Sequence, residues 1–163
     1  MNYGKINRVD TANGTGCRVS LFVSGCRNAC PGCFNEEAWD FQYGKPFTML
    51  TVNEIMDALR PEWIDGLTVL GGDPFEPENL LHVENLCMMV KDRFPHKTIW
   101  IYTGYFWEGL KDINIMNYID VLVDGPFAED LKDLTLAFRG SRNQRIIDVQ
   151  QSLRKKEVVL YDL

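Results

Sequence analysis

Apolar and polar residues alternate along this chain in short bursts, most of them ending in glycine. Over Arg18–Ser24, Val19, Leu21 and Val23 alternate with Ser20 and Ser24, and Phe22 stands on the second face. That period of two predicts a strand ending in Ser24-Gly25-Cys26. Leu67–Leu70 predicts a second strand, ending in Gly71-Gly72-Asp73-Pro74. Thr98–Tyr102 predicts a third, ending in Thr103-Gly104-Tyr105, and Val121–Val123 a fourth, ending in Asp124-Gly125-Pro126. Between them the period lengthens to that of a helix. Thr51 and Glu54 fit a capping box, and Ile55, Met56 and Leu59 share a face until Pro61 stops the run. After Pro77, which suits a first helical turn, Leu80, Val83, Cys87, Val90 and Phe94 recur every three or four residues as one apolar stripe. A shorter helix carrying Ile113 and Met116 is predicted between Asp112 and Tyr118. Glu157–Leu163 reads as an added edge strand or a segment packed on the sheet.

Strand–helix alternation implies an α/β fold with a mostly parallel sheet and right-handed crossovers. Such folds seat ligands at the carboxyl ends of their strands. All four predicted strand ends carry glycine or small polar residues, as a shared site needs. The expected architecture is an incomplete, partial βα barrel, open on one side, because 163 residues fall short of the roughly 250 of a closed eight-unit barrel. No repeat or linker divides the sequence, so residues 1–163 read as one domain.

Charge and composition exclude several roles. Lys and Arg number 17 against 23 Asp and Glu, a net charge of −6, which argues against nucleic acid as the partner. No apolar run approaches the ~20 residues of a membrane span, and no apolar stretch near the start resembles a signal peptide. A cytoplasmic protein without a membrane partner is expected.

The five cysteines change the picture most, because three of them fall in Cys26-Arg-Asn-Ala-Cys30-Pro-Gly-Cys33. In a reducing compartment such a cluster reads as metal-binding or catalytic rather than as a disulfide framework. Three thiolates on one loop can converge on a soft metal centre. Structural zinc normally takes four protein ligands, so a zinc knuckle here needs Cys17 or a histidine to complete it. Iron–sulfur clusters usually take four cysteines; three on a four-iron cluster would leave one iron free for a substrate or cofactor. Cys87 sits on the helix stripe and reads as core, Cys17 as packing, and neither His82 nor His96 suggests catalysis.

The C-x3-C-x2-C spacing after the first strand resembles the radical S-adenosylmethionine (SAM) superfamily, and Gly71-Gly72-Asp73-Pro74 is similar to its glycine-rich segment. Within that superfamily the order of motifs is similar to the branch that activates anaerobic (class III) ribonucleoside-triphosphate reductases. Those motifs are Asn13-Gly-Thr-Gly-Cys-Arg18, Val23-Ser-Gly-Cys26, Cys30-Pro-Gly-Cys-Phe-Asn35, Gly71-Gly-Asp-Pro74, Trp100-Ile-Tyr-Thr-Gly-Tyr105, Val123-Asp-Gly125 and Arg139-Gly-Ser-Arg-Asn-Gln144. Where the superfamily usually has an aromatic residue before the last cysteine, this chain has Gly32, with Phe34 after it.

The resemblance implies that Cys26, Cys30 and Cys33 hold a [4Fe–4S] cluster whose fourth iron binds SAM. A one-electron donor such as a flavodoxin would reduce the cluster. The C5′–S bond would then break to give methionine and a 5′-deoxyadenosyl radical, which takes hydrogen from a backbone glycine of the reductase large subunit. On the same ground Gly32, Cys33 and Phe34 are expected along the adenine side, and Gly71, Gly72 and Asp73 along the methionine side. Thr103 and Asp124 are expected to contact the methionyl carboxylate or ribose. Arg139–Gln144 is expected to close over the site or face the partner. An activase for another glycyl-radical enzyme, such as pyruvate formate-lyase, is the neighbouring alternative, and a zinc-binding adaptor the non-catalytic one.

Overall fold

A computed structural model describes residues 1–163. Its strands are β1 (Asn2–Asp10), β2 (Arg18–Val23), β3 (Lys45–Pro46), β4 (Gly66–Gly71), β5 (Thr98–Tyr102), β6 (Val121–Asp124) and β7 (Arg145–Asp148). The helices are α1 (Met49–Ala58), α2 (Pro77–Arg93), α3 (Trp107–Leu110) and α4 (Val149–Lys155). All seven strands share one sheet in the order β3-β1-β2-β4-β5-β6-β7. The central four run parallel, while β1, β3 and β7 are antiparallel to their neighbours. The chain is therefore α/β with a mixed sheet, parallel at its centre. The antiparallel edges follow from connectivity: β1 reaches β2, and β6 reaches β7, through loops without a crossover helix.

The four predicted strands form within a residue or two of the expected ends, and α2 begins at Pro77 as expected. Other expectations need correction. Helix α1 starts three residues early, because the capping box is made by Thr48 and Thr51, not by Thr51 and Glu54; the Thr48 N–H donates to Thr51 Oγ1 at 3.1 Å. Between Asp112 and Tyr118 there is only a 3-10 turn, Asn114–Asn117, which buries Ile115 and Met116. The tail is neither a full strand nor loose: Leu160 makes one bridge to Ile147, and the Tyr161 ring packs against Trp100.

Side chains along the strands alternate between two chemically different faces. Val19, Leu21, Val23, Leu67, Val69, Ile99, Ile101, Leu122 and Ile147 face the helices, and with Val52, Ile55, Leu59, Val83, Leu86 and Val90 they belong to a core of 25 buried residues. Each such side chain withdrawn from water contributes roughly 1.5–3 kcal/mol. The opposite face carries Arg18, Ser20, Phe22, Thr68, Leu70, Trp100 and Tyr102. No helix covers it. Loop 11–17, Phe138 and Tyr161 lie there instead, with the Asn13 carbonyl accepting from Thr68 Oγ1 at 2.8 Å.

Arg18 closes the amino-terminal end of that inner face. It is fully buried with no carboxylate at salt-bridge distance, and burial pulls its pKa down to about 10. Its guanidinium donates to Thr68 Oγ1, Thr98 Oγ1 and the carbonyls of Thr15, Leu67 and Thr98 at 2.8–3.1 Å, and it lies over the Trp100 ring. One side chain thus pins β2, β4 and β5. Arg18→Ala leaves several buried acceptors without a donor and is expected to cost about 3 kcal/mol or more. Chemical denaturation read by circular dichroism checks this, and an unchanged unfolding midpoint would contradict it.

Candidate functional site

The opposite, carboxyl end of the sheet is where the chemistry gathers. A cavity of about 750 Å³ opens there, lined by Cys26, Cys30 and Cys33 together with Phe34, Gly71, Gly72, Asp73 and Thr103. Gly32 and Asp124 do not line it. A second hollow of about 520 Å³, between Trp107 and Val158, holds no cysteine.

The cysteine loop is built mainly by backbone contacts. Gly25, with φ +101°, lies against the Phe41 ring, where a side chain at residue 25 has no room. Its N–H donates to the Ala38 carbonyl at 2.7 Å, and the Cys26 N–H donates to Trp39 O at 3.2 Å. From the other side the Gly72 N–H donates to Val23 O at 2.7 Å and the Asp73 N–H to Gly25 O at 2.8 Å. A Cβ on Gly72 would stand 2.6 Å from Gly25 O, so the bare glycine lets the end of β4 touch the loop. Further along, the Cys33 N–H closes a turn onto Cys30 O at 3.1 Å, and the Asn35 N–H donates to Cys33 Sγ at 3.5 Å.

Side chains then lock the loop to the start of α2. Arg27 pairs with the fully buried Glu76 and, at 2.5 Å, with Glu78, and its guanidinium lies over Phe41. Glu76 also accepts from the Tyr105 hydroxyl at 2.7 Å. This network had no motif in the sequence; the one local signal was an acid beside Pro77 at a helix start.

Asp73 is fully buried, and burial pushes its pKa up to about 6 against the donors that favour its charge. Its Oδ1 accepts from the Phe75 N–H and Thr103 Oγ1 at 3.0 and 2.8 Å. Its Oδ2 accepts from Asn28 Nδ2 at 2.9 Å and the Gly104 N–H at 2.8 Å. A carboxylate has about four lone-pair sites, so these donors fill it. The Thr103 hydroxyl is committed to the same group and accepts from the Tyr105 N–H at 3.1 Å. Asp124 is turned away from the cavity: Arg145 and the Trp107 N–H hold its carboxylate, while the next residue, Gly125, lines the wall. Gly32 occupies a left-handed turn (φ +74°) with Glu129 packed beside it.

The far wall comes from residues 125–144. Phe127 meets Phe34 with ring centroids 5.0 Å apart, and Lys132 lies over Phe34 at 5.2 Å. Gln144 ties this wall together, its Oε1 accepting from the Gly140 and Ser141 N–H groups and its Nε2 donating to Gly125 O. Of the Arg139–Gln144 motif, Arg139, Gly140 and Gln144 line the cavity. Arg139 lines it with no carboxylate at salt-bridge distance.

All five cysteines are free thiols. Burial pushes the Cys26 and Cys30 thiols upward and Cys87, sealed among core side chains, up to about 12. Cys17 precedes β2 and Cys26 follows it, about 20 Å apart at the rise of an extended strand. No group of three His, Cys, Asp or Glu side chains stands close enough to share one ion. Three soft thiols around one roomy cavity suit the separate iron corners of a larger cluster.

Comparison with known proteins gives this donor set its class. A family model described as "4Fe-4S single cluster domain" matches residues 12–147, so the chain carries an iron–sulfur domain. The anaerobic ribonucleoside-triphosphate reductase-activating protein of Enterobacteria phage T4 is 46% identical over 146 residues, covering 90% of this chain and 93% of its own length. The proteins of that name from Escherichia coli K12 and Pasteurella multocida are 41% and 43% identical, covering 88% and 90% of this chain and 96% of their own lengths. The chain belongs to the family of anaerobic ribonucleoside-triphosphate reductase-activating proteins. No helix is long and apolar enough to cross a membrane.

Proposed function

We propose that this protein reductively cleaves SAM and places a glycyl radical on the large subunit of an anaerobic ribonucleoside-triphosphate reductase. The observation that carries this reading is the three-thiol loop on one cavity, with no fourth cysteine or histidine beside it. A [4Fe–4S] cluster bound there supplies the electron and the open iron corner that split the sulfonium. Cys26, Cys30 and Cys33 hold that cluster. Gly71 and Gly72 bring backbone close on the methionine side, where Asp73 and Thr103 fix the turn. Cys33 and Phe34 flank the adenine side, with Phe127 behind the Phe34 ring, while Gly32 serves only by turning the loop between Cys30 and Cys33. Asp124 serves by holding Arg145 and the end of β6. The walls at 34 and 125–144 exclude water and side reactions.

In this reading the sheet is a partial barrel of the radical SAM type within a single domain, residues 1–163. Its uncovered mouth admits a loop of the much larger partner. The electron donor is a one-electron carrier such as a flavodoxin, and the working compartment is the cytoplasm.

The test is anaerobic incubation with SAM, a strong reductant and the reductase large subunit, read by electron paramagnetic resonance and chromatography. A glycyl doublet together with 5′-deoxyadenosine is expected. Cleavage of SAM without any partner radical would overturn the activase assignment; a colourless protein holding one zinc would overturn the cluster.

A further inference from the structure

The cations withdrawn from solvent are Arg18, Lys91, Lys97, Arg139 and Arg145, and all but one are committed. Arg18 donates to two hydroxyls and three carbonyls. Lys91 holds Asp120 and the Lys97 carbonyl, and Lys97 holds the carbonyls of Pro61 and Ile64. Arg145 holds Asp124 and Glu108. Arg139 differs. It donates once, to the Gln144 carbonyl at 2.5 Å, which leaves four of the guanidinium's five N–H groups without a protein partner. A half-buried charge with spare donors on a cavity wall is short of an anion.

Its neighbours fix its place. On one side the Phe138 carbonyl accepts from the Tyr102 hydroxyl at 2.7 Å. On the other, a Cβ on Gly140 would stand 3.1 Å from the Phe34 ring. Arg139 therefore stands between the end of β5 and the ring that follows Cys33, at the cysteine end of the cavity. The acids that line the same cavity do not meet its need: Asp73 is filled by its own donors, and Asp133 turns Oδ1 to Thr135.

Resting on the reading that SAM enters this cavity, we infer that Arg139 binds the methionyl carboxylate of SAM. That carboxylate is the one anionic group of the molecule, and a guanidinium fork matches it in shape and charge. Thr103 and Asp124, the residues the sequence offers for this contact, are spent on Asp73 and Arg145. A carboxylate entering beside buried Asp73 also needs an offsetting cation. Lys5, the other cation on the cavity, is exposed on the edge of β1 and lies over the Phe22 ring.

The test is equilibrium dialysis of the reconstituted holoprotein, its cluster kept oxidised so that nothing turns over, with SAM and with decarboxylated SAM. Arg139→Gln is expected to weaken SAM on the order of 10- to 100-fold, the range of a charge-assisted pair, and decarboxylated SAM less than about threefold. Arg139→Lys is expected to regain part of the loss, and Lys5→Gln to keep the wild-type preference. A merely structural role predicts equal weakening of both ligands, and that result would overturn the inference. So would a selective loss in Lys5→Gln. Unchanged SAM affinity in Arg139→Gln, with weaker binding of the reductase large subunit, would assign the carboxylate to the partner and overturn it too.

Should Arg139→Gln fail to load its cluster, chemical modification of the wild-type holoprotein decides. Saturating SAM is expected to protect Arg139 from p-hydroxyphenylglyoxal, read by peptide mass spectrometry; equal modification with and without SAM overturns the inference. A wild-type holoprotein that binds neither ligand would instead overturn the parent reading, and this one with it.

Discussion

Replacing any one of Cys26, Cys30 or Cys33 with alanine is expected to drop iron and sulfide from about four each per chain to near background. Cys87→Ala is expected to keep the full complement. The contrast follows from place. The three loop thiols line one cavity, whereas Cys87 has no solvent contact and a thiol held at about 12 by the surrounding core. Cys17 lies at the far end of β2, beyond the reach of any cluster on the loop. With only three protein thiolates available, no neighbouring cysteine can replace a lost one. Iron and sulfide analysis after anaerobic reconstitution checks the series. Equal loss from Cys87→Ala would overturn the ligand assignment.

Gly72→Ala is expected to leave the sheet folded but to displace the cysteine loop, giving a protein that binds iron substoichiometrically. Gly72 is not held at positive φ, so alanine is conformationally acceptable there; the obstacle is space. An added Cβ would lie 2.6 Å from Gly25 O, 2.8 Å from Gly25 N and 2.9 Å from Ala38 O, all backbone atoms with no rotamer to yield. Overpacking of this kind costs roughly 1–3 kcal/mol, and here the yielding partner is the loop that carries Cys26. Gly109→Ala is the matched control. It sits in α3 with nothing within 4 Å of its added Cβ, and it is expected to be neutral or stabilising by a few tenths of a kcal/mol. Iron per chain and thermal midpoint, measured side by side, separate the two. Full iron loading in Gly72→Ala would contradict the close-approach account.

The cysteine spacing, the glycine-ended strands and the α2 stripe were legible in the sequence because each is local: a few neighbouring residues carry both the pattern and its reason. The commitments of the acidic residues were not. Asp73 sits at a strand end and looks available, yet its donors come from Asn28, 45 residues earlier, and Thr103, 30 residues later. Asp124 looks the same and is taken by Arg145 on β7, a strand whose four residues, Arg145–Asp148, offer too little periodicity to read. Strand β1 escaped notice because it packs beside β2 with mostly exposed or half-buried side chains, so its alternation carries little hydrophobic signal. The α1 cap shifted for a subtler reason. Thr48 and Thr51 share the three-residue spacing of a capping box, and a second threonine can return the hydrogen bond that a glutamate usually gives.

The open iron corner is the centre of this account, and electron paramagnetic resonance of the reduced cluster with 15N-labelled SAM tests it most directly. The spectrum is expected to change when SAM is added, with a hyperfine coupling to the methionyl nitrogen that vanishes with unlabelled nitrogen's own signature in its place. A four-iron cluster whose spectrum is indifferent to SAM, at concentrations that saturate binding, would contradict it.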